Sequence, residues 1–295
     1  MTRVRANLLL LVAAFIWGNA FVAQATAMDK MGPYAFVGVR FLLSAIAVLP
    51  FALLERRRGD TPLSAADRWL ILLIGIVFLL GNVLQQVGIK HTTVTNAGFL
   101  TGLYVVMVPF MAWAAFRMPP NPIVWPAAML SIFGTFLLGG GGFDPPGPGD
   151  LLVVSSAVLW AVHVTAVGVA VMRTSRPLLI SVAQFALCGI LSLAAGIWLE
   201  PLSMAAVVAA LPELLYAGLV SGGIGFTLQV IAQRWAPPAD AAVILSAEAL
   251  FAALAGGVLL GERLGLVGWS GAASIFCAIL IVQLVPLMRL RASAP

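Results

Sequence analysis

Runs of about twenty apolar residues recur along this chain from end to end, parted by short turns rich in Gly, Pro and Arg. A helix needs about 20 such residues to cross the hydrocarbon of a bilayer. On that measure the pattern predicts ten spans, at 6–27, 33–54, 69–89, 95–116, 122–138, 150–172, 178–199, 212–232, 240–260 and 264–287. No stretch alternates strictly between apolar and polar over the ten or so residues that mark a membrane β-strand. Helices also satisfy their own backbone groups in lipid, where each unpaired group costs several kcal/mol. The expected fold is therefore all-α, an integral membrane protein of ten transmembrane helices. The connections are short, so successive spans run antiparallel and no soluble domain is inserted.

The polar positions inside these spans are few and patterned. Residues 81–109, GNVLQQVGIKHTTVTNAGFLTGLYVVMVP, gather Asn82, Gln85, Gln86, Asn96, Thr101 and Tyr104 in otherwise apolar helices. Residues 225–253 echo them at an offset of 144, matching Gly81 with Gly225, Gln85 with Gln229, Asn96 with Asp240 and Tyr104 with Glu248. Arg40 matches Gln184 and Trp125 matches Trp269 at the same offset, while Trp17 matches Trp160 at 143. The Gly/Pro-rich run 139–150, GGGGFDPPGPGD, divides the chain into a first five-helix repeat at 1–139, an external connection at 140–149 and a second repeat at 150–295. Five is odd, so the second repeat lies inverted relative to the first. Inverted repeats related by a two-fold axis in the membrane plane are a transporter design with its substrate site at the repeat interface. Duplication for packing alone is the other reading.

Composition sharpens the class. Hydrophobic residues make up 62% and charged residues 9%, with a mean hydropathy of +1.07. Soluble domains carry about 25% charged residues, so no soluble surface can be assembled here. The net charge of +5 would suggest nucleic acid in a soluble protein, but here it sits in loops and sets orientation. Twelve basic residues (Arg3, Arg5, Arg56, Arg57, Arg58, Arg68, Arg117, Arg173, Arg176, Arg234, Arg289, Arg291) fall on the N-terminal side of the expected bundle, against Lys30, Lys90 and Arg263 opposite. That bias places both termini in the cytoplasm, with no nucleic acid partner. Arg3, Arg5, the apolar run and Ala25-Thr26-Ala27 resemble a signal peptide. Trp17, Gly18, Asn19 and Gln24 interrupt that run, and its core recurs around Trp160, so a retained first span is expected. Cys188 and Cys277 lie in apolar runs and read as free, inert thiols.

Several stretches together resemble one family. They are FIWGNAFVAQ in the first span, VGVRFLLSAIAVLP in the second, TNAGFLTGLYVVMVPFMAW in the fourth, and AAVILSAEALFAALAGGVLLGERLGLVGW in the ninth with its exit. The chain is similar, over essentially its whole length, to the ten-helix EamA-type members of the drug/metabolite transporter superfamily. It departs from the family pattern once: FRMPPNPIVW stands where the first repeat usually has a GER turn, leaving Glu262 and Arg263 as the sole such pair. The resemblance implies a multi-pass carrier of the bacterial inner membrane, commonly an exporter of small metabolites. Amino acids are prominent among the substrates of such carriers, and the aromatic amino acid exporters of the YddG type are the favoured subgroup.

The candidate binding residues are Trp17, Asn19, Asn82, Gln85, Gln86, Thr101, Tyr104, Trp160, His163 and Gln229. The amides offer donors and acceptors to a zwitterion, and the two Trp, away from the interfacial belt where that residue collects, can stack on an aromatic solute or simply fill space. His163 is either a ligand or a bonded packing residue. Arg40, roughly 10 Å below one surface at 1.5 Å per residue, either holds a substrate carboxylate or gates the mouth, or else is a paired packing charge. Glu248 is either a proton carrier, since intramembrane carboxylates form proton relays, or a packing carboxylate that reaches a neighbouring helix or Arg40. Asn96 and Asp240 read as helix caps. Pro109 and Gly256-Gly257 are expected to interrupt the fourth and ninth helices, as discontinuous spans do in transporters, with Gly81 and Gly225 just before the glutamines; close helix contact through small residues is the other reading.

No HExxH, Walker lysine loop or GxSxG occurs, and His91 and His163 sit on distant segments. The reading is therefore no enzyme, no metal and no cofactor. A channel would call for a ring of charges or carbonyls, which a single two-fold pseudo-repeat does not supply. The expected function is secondary transport by alternating access around a central cavity, as a monomer or weak homodimer in the lipid bilayer, with proton coupling left open; export or import of another metabolite or drug class, or a facilitative channel-like pathway, is the alternative.

Overall fold

The structure, a computed structural model, describes residues 1–58, 62–117, 119–138, 140–142, 147–259 and 265–292. Gly139, residues 143–146 of the connection, and Glu262 with Arg263 lie outside the described residues, as do the side chains of Arg56, Arg57, Arg58, Arg289 and Arg291. Every regular element among the described residues is helical. In chain order they are α1 (Arg3–Ala27), α2 (Pro33–Arg58), α3 (Ala65–Ile89), α4 (Val94–Gly102), α5 (Tyr104–Phe116), α6 (Val124–Leu138), α7 (Pro148–Thr174), α8 (Pro177–Leu199), α9 (Met204–Ala209), α10 (Leu211–Leu215), a π-helical segment (Tyr216–Phe226), α11 (Thr227–Ala232), α12 (Pro238–Leu245), α13 (Ala247–Leu259) and α14 (Leu266–Ala292).

Among the described residues, nine helices or runs of joined helices are long and apolar enough to cross a membrane. The longest helices, α7 and α14, have 27 residues each, about 40 Å at 1.5 Å per residue, against a hydrocarbon core of about 30 Å. The remaining expected span, the fifth, is α6, which has only 15 residues. Starts and stops follow local chemistry. Thr2 and Ser64 accept backbone N–H bonds from Arg5 and Asp67 and so cap α1 and α3. Pro177 opens α8, at the position where a missing N–H costs nothing.

Three spans are interrupted. The fourth breaks at Leu103 between α4 and α5, and the ninth at Ser246 between α12 and α13. The eighth is threaded by the π segment. Pro109 and Gly256-Gly257, expected as the interruptions, lie inside continuous α5 and α13. Asn96 and Asp240 are not caps. Thr93 caps α4 through its hydroxyl, and Asp240 lies in the first turn of α12, so neither side chain is free for its own helix end. Each is drawn instead to a neighbouring helix: Asn96 Nδ2 donates to Asp150 at 2.6 Å, and Asp240 pairs with Arg3.

Helix packing relies on small residues, as lipid-embedded helices do. α2 and α8 run alongside each other so closely that a Cβ on Gly189 would fall 2.8 Å from Leu42 N, and one on Gly196 2.7 Å from Ala35 N. α6 packs on α14 in the same way, through Gly134 and Gly271. In the interior, Phe41, Phe78, Phe185 and Phe226 form a cluster with ring centroids 4.8–6.4 Å apart. Of these rings, Phe226 lines the cavity described next.

Candidate functional site: a central cavity

Nine elements converge on one interior cavity. It is lined by Trp17, Phe21 and Gln24 of α1, Arg40 of α2, Asn82 and Gln85 of α3, Thr101 and Tyr104 at the α4–α5 break, and Trp160 and Val164 of α7. Ser221 and Phe226 of the π segment, Gln229 of α11 and Glu248 of α13 complete it. About 500 Å³ of space lies among these side chains with its open end included, but only about 40 Å³ of it admits the centre of a water-sized sphere. One water takes roughly 10–15 Å³ on that second measure. The cavity in this conformation is therefore contracted, and a solute larger than a few waters requires the helices to separate.

One wall carries positive charge. Arg40, 3% exposed, donates from Nη1 to Gln24 Oε1 (2.8 Å) and from Nη2 to Asn82 Oδ1 (2.6 Å). The amide nitrogen of Asn82 donates to Phe78 O (2.8 Å), which turns its oxygen toward the arginine. Gln86, donating to Gln24 O (3.1 Å), braces the same corner from behind. The guanidinium carbon lies 4.6 Å from the Phe41 ring centroid, a favourable cation–π contact. Neutral amides and a ring thus surround the cation, and among the described residues no carboxylate pairs with it. A buried cation without a counter-charge is costly, so this wall is electrostatically prepared for an anion.

Negative charge lies on a different wall. Glu248, 4% exposed, adjoins Tyr104 closely enough to interact with it, yet the Tyr104 hydroxyl and Glu248 Oε1 each lack a hydrogen bond of good geometry. Arg40 and Glu248 form no ion pair, so the packing pair between them is not made.

Aromatic rings form the rest. Phe226 lies 4.4 Å from Trp17 and is stacked 5.7 Å from Trp160 at 22°. The π segment allows this arrangement. Its shifted hydrogen bonding leaves Ser221 O to accept from Trp17 Nε1 at 3.3 Å. A Cβ on Gly225 would fall 2.7 Å from that same Nε1, so only glycine admits the indole here. Single-turn π distortions of α-helices are frequent at functional sites.

The unpaired atoms give the site its chemistry. Buried polar groups almost always have partners, yet Arg40 Nε, Tyr104 Oη, Trp160 Nε1, Gln229 Oε1 and Glu248 Oε1 have none, and all five residues line this cavity. Arg40 Nε and Trp160 Nε1 are donors, Gln229 Oε1 and Glu248 Oε1 carry acceptor lone pairs, and the Tyr104 hydroxyl can serve as either. Gln85 is already engaged, donating to Thr101 Oγ1 at 2.9 Å. No group of three or more His, Cys, Asp or Glu gathers among the described residues.

Of the residues singled out from sequence, Trp17, Asn82, Gln85, Thr101, Tyr104, Trp160, Gln229, Arg40 and Glu248 meet at the cavity. Three do not line it. Asn19 turns away and bonds to Phe15 O at 2.8 Å. Gln86 lies behind Gln24, and fully buried His163 bonds through Nε2 to Gln184 (2.8 Å) beneath the Phe78 ring. Sequence reasoning missed Phe21, Gln24, Ser221 and Phe226. Gln24 was visible as a polar residue deep in the first apolar run. The others carry no polar pattern, and only the π segment turns Ser221 and Phe226 inward.

Comparison with known proteins places the chain. The EamA-like transporter family profile matches residues 4–140 and 147–284, and the chain belongs to that family, a family of multi-pass membrane transporters. It is 31% identical to an uncharacterized transporter of Archaeoglobus fulgidus over 96% of this chain and 87% of that one. It is 25% identical to the uncharacterized transporter YwfM of Bacillus subtilis over 98% and 97%. A partial match, 28% identical over 46% of this chain and 43% of the other, is to the S-adenosylmethionine/S-adenosylhomocysteine transporter of Chlamydia muridarum. A crystal structure shares the fold with a TM-score of 0.79 at 19% identity, covering 99% of this chain and 100% of that one.

Proposed function

We propose that this transporter is a secondary carrier for a small zwitterionic metabolite, foremost an amino acid with an apolar or aromatic side chain. It exports its substrate across the bacterial cytoplasmic membrane by alternating access, as the aromatic amino acid exporters of the YddG type do. The observation that carries this reading is the set of unpaired polar atoms, cation on one wall and carboxylate on another, around a cavity whose remaining wall is Trp17, Phe226 and Trp160. Arg40 with Asn82 would take the substrate carboxylate, Glu248 with Gln229 the ammonium, and the rings its side chain.

The carrier is read as two five-helix repeats of opposite topology with both termini cytoplasmic, monomeric or weakly dimeric. Support comes from polar contacts that recur in couples at matched positions. Lys30, after α1, pairs with Glu213, as Arg173, near the end of α7, pairs with Asp67 (2.9 Å). Arg3 meets Asp240 at the starts of α1 and α12, as Asp150 meets Asn96 at the starts of α7 and α4. The helix breaks at Leu103 and Ser246 also correspond, within one residue, at the offset of 144.

Ligand analogues test the zwitterion directly. Binding to the purified protein is measured for an aromatic amino acid, its decarboxylated amine and its deaminated acid. A hydrogen bond to a charged group contributes about 1.5–3 kcal/mol, so each truncation is expected to weaken binding by at least tenfold. Equal binding of the amine or the acid would contradict the reading. S-adenosylmethionine joins the panel, since it has the same amino acid head attached to an aromatic ring system and is transported by a partial relative.

A further inference from the structure

α2 and α8 are fastened to each other at both ends by a matched pair of carboxylates. Glu200, the residue after α8, reaches the first turn of α2, where Oε1 accepts from Tyr34 N (3.0 Å) and Oε2 from Ala35 N (2.8 Å). Glu55, near the far end of α2, reaches the first turn of α8, where Oε1 accepts from Leu178 N (3.1 Å) and Oε2 from Leu179 N (2.9 Å). Both first turns open with a proline, Pro33 and Pro177, so in each the two donors taken are the first that exist. Tyr34 and Ala35 correspond to Leu178 and Leu179 at the offset of 144, so the arrangement repeats atom for atom.

Neither glutamate is placed for its own helix. A carboxylate at a helix C-terminus faces the negative end of the dipole, whereas at an N-terminus it meets free N–H groups and the positive end. Both acids stand at the wrong end of their own helix and the right end of the partner. The space at the α2 start is fitted to this: a Cβ on Gly32 would collide with the Glu200 carboxylate. Between the two caps the helices approach closely at Gly189 and Gly196 and meet through the Phe41 and Phe185 rings.

α2 also borders the cavity. Arg40 lies on α2 between the caps, and the chain just beyond Glu200 leads into the span that holds Ser221, Phe226 and Gln229. We infer that Glu55 and Glu200 are positioning residues that act as opposed latches. Each holds its own end of the α2–α8 pair closed, and release of one opens the cavity toward that end alone. The inference rests on the carrier reading above and adds to it the residues that set which way the cavity faces.

The test is sided labelling. Val164→Cys places a thiol in the cavity wall, in a background with Cys188 and Cys277 replaced by alanine. A membrane-impermeant maleimide is applied to either face of oriented membrane vesicles. Losing a helix-capping side chain typically costs about 1 kcal/mol, or roughly fivefold in an equilibrium. Glu200→Ala is therefore expected to speed labelling about fivefold from the face nearest Pro33, and Glu55→Ala about fivefold from the opposite face. The Gln variants keep one acceptor oxygen and are expected to give the same signs at smaller amplitude, which serves if an alanine form fails to insert. Shifts in the same direction, or unchanged labelling in inserted protein, overturn the inference, because a merely stabilising cap would lower Tm without favouring a side. Sided labelling does not depend on a known substrate, so failure of the carrier reading shows separately, as Val164→Cys protein that labels with the expected sidedness while the wild type exchanges no solute.

Discussion

Arg40 owes its position to three neutral neighbours. Gln24 and Asn82 each accept one of its N–H bonds, Phe41 lies under its face, and the Nε–H is left over. Lysine in its place keeps the charge but cannot hold both amides in a planar fork. Arg40→Lys is expected to weaken solute binding by about tenfold or more while the protein stays inserted, given about 1.5–3 kcal/mol per charge-assisted bond. The measurement is affinity alongside Tm; a parallel fall in both would mark a packing role. Glu248→Gln tests both of its proposed roles. The amide keeps the shape but loses the charge that would take the ammonium and the group that could carry a proton, so solute binding is expected to weaken by about tenfold or more and the pH dependence of exchange to be lost; unchanged pH dependence would dismiss Glu248 as a proton carrier. Most cavity residues were legible in the sequence because a polar side chain inside an apolar span is expensive and therefore informative. Asn19 and His163 were legible by the same rule yet line no cavity. That rule detects burial but not direction, and both found partners within the bundle, at Phe15 O and Gln184.

At the scale of elements, hydrophobic run length located the spans well, since it answers directly to bilayer thickness. Internal breaks were harder. Pro109 and Gly256-Gly257 looked like interruptions, but neighbouring helices re-satisfy a backbone freed by proline inside a membrane bundle, and the chain breaks at Leu103 and Ser246 instead. The π segment has no sequence hallmark beyond its glycines, Gly218, Gly222, Gly223 and Gly225, and it alone brings Phe226 between the two tryptophans. Gly225→Ala probes that element. The new methyl group would press on Trp17 Nε1, and overpacking costs about 1–3 kcal/mol. Trp17 should be displaced, with a blue or red shift in its emission and a several-fold loss of affinity for aromatic solutes. Wild-type emission and affinity would show that the indole contact does not shape the cavity.

Across the whole molecule, contacts at one end of the bundle have counterparts at the other: Lys30–Glu213 with Arg173–Asp67, Arg3–Asp240 with Asp150–Asn96, and the Glu200 cap with the Glu55 cap. Such matching suits a machine that must close equally well at either end. The cavity between them is too contracted to hold a solute of amino acid size. A carrier must pass through such a state on each cycle, whereas an open channel need not. Counterflow in proteoliposomes tests this most directly. Vesicles holding purified protein are loaded with one unlabelled amino acid and placed in a trace of the same amino acid carrying label. The account predicts transient accumulation of label above equilibrium with an aromatic or other apolar amino acid, and its loss in Arg40→Lys. No accumulation with any amino acid, in protein shown to be folded and inserted, would contradict it.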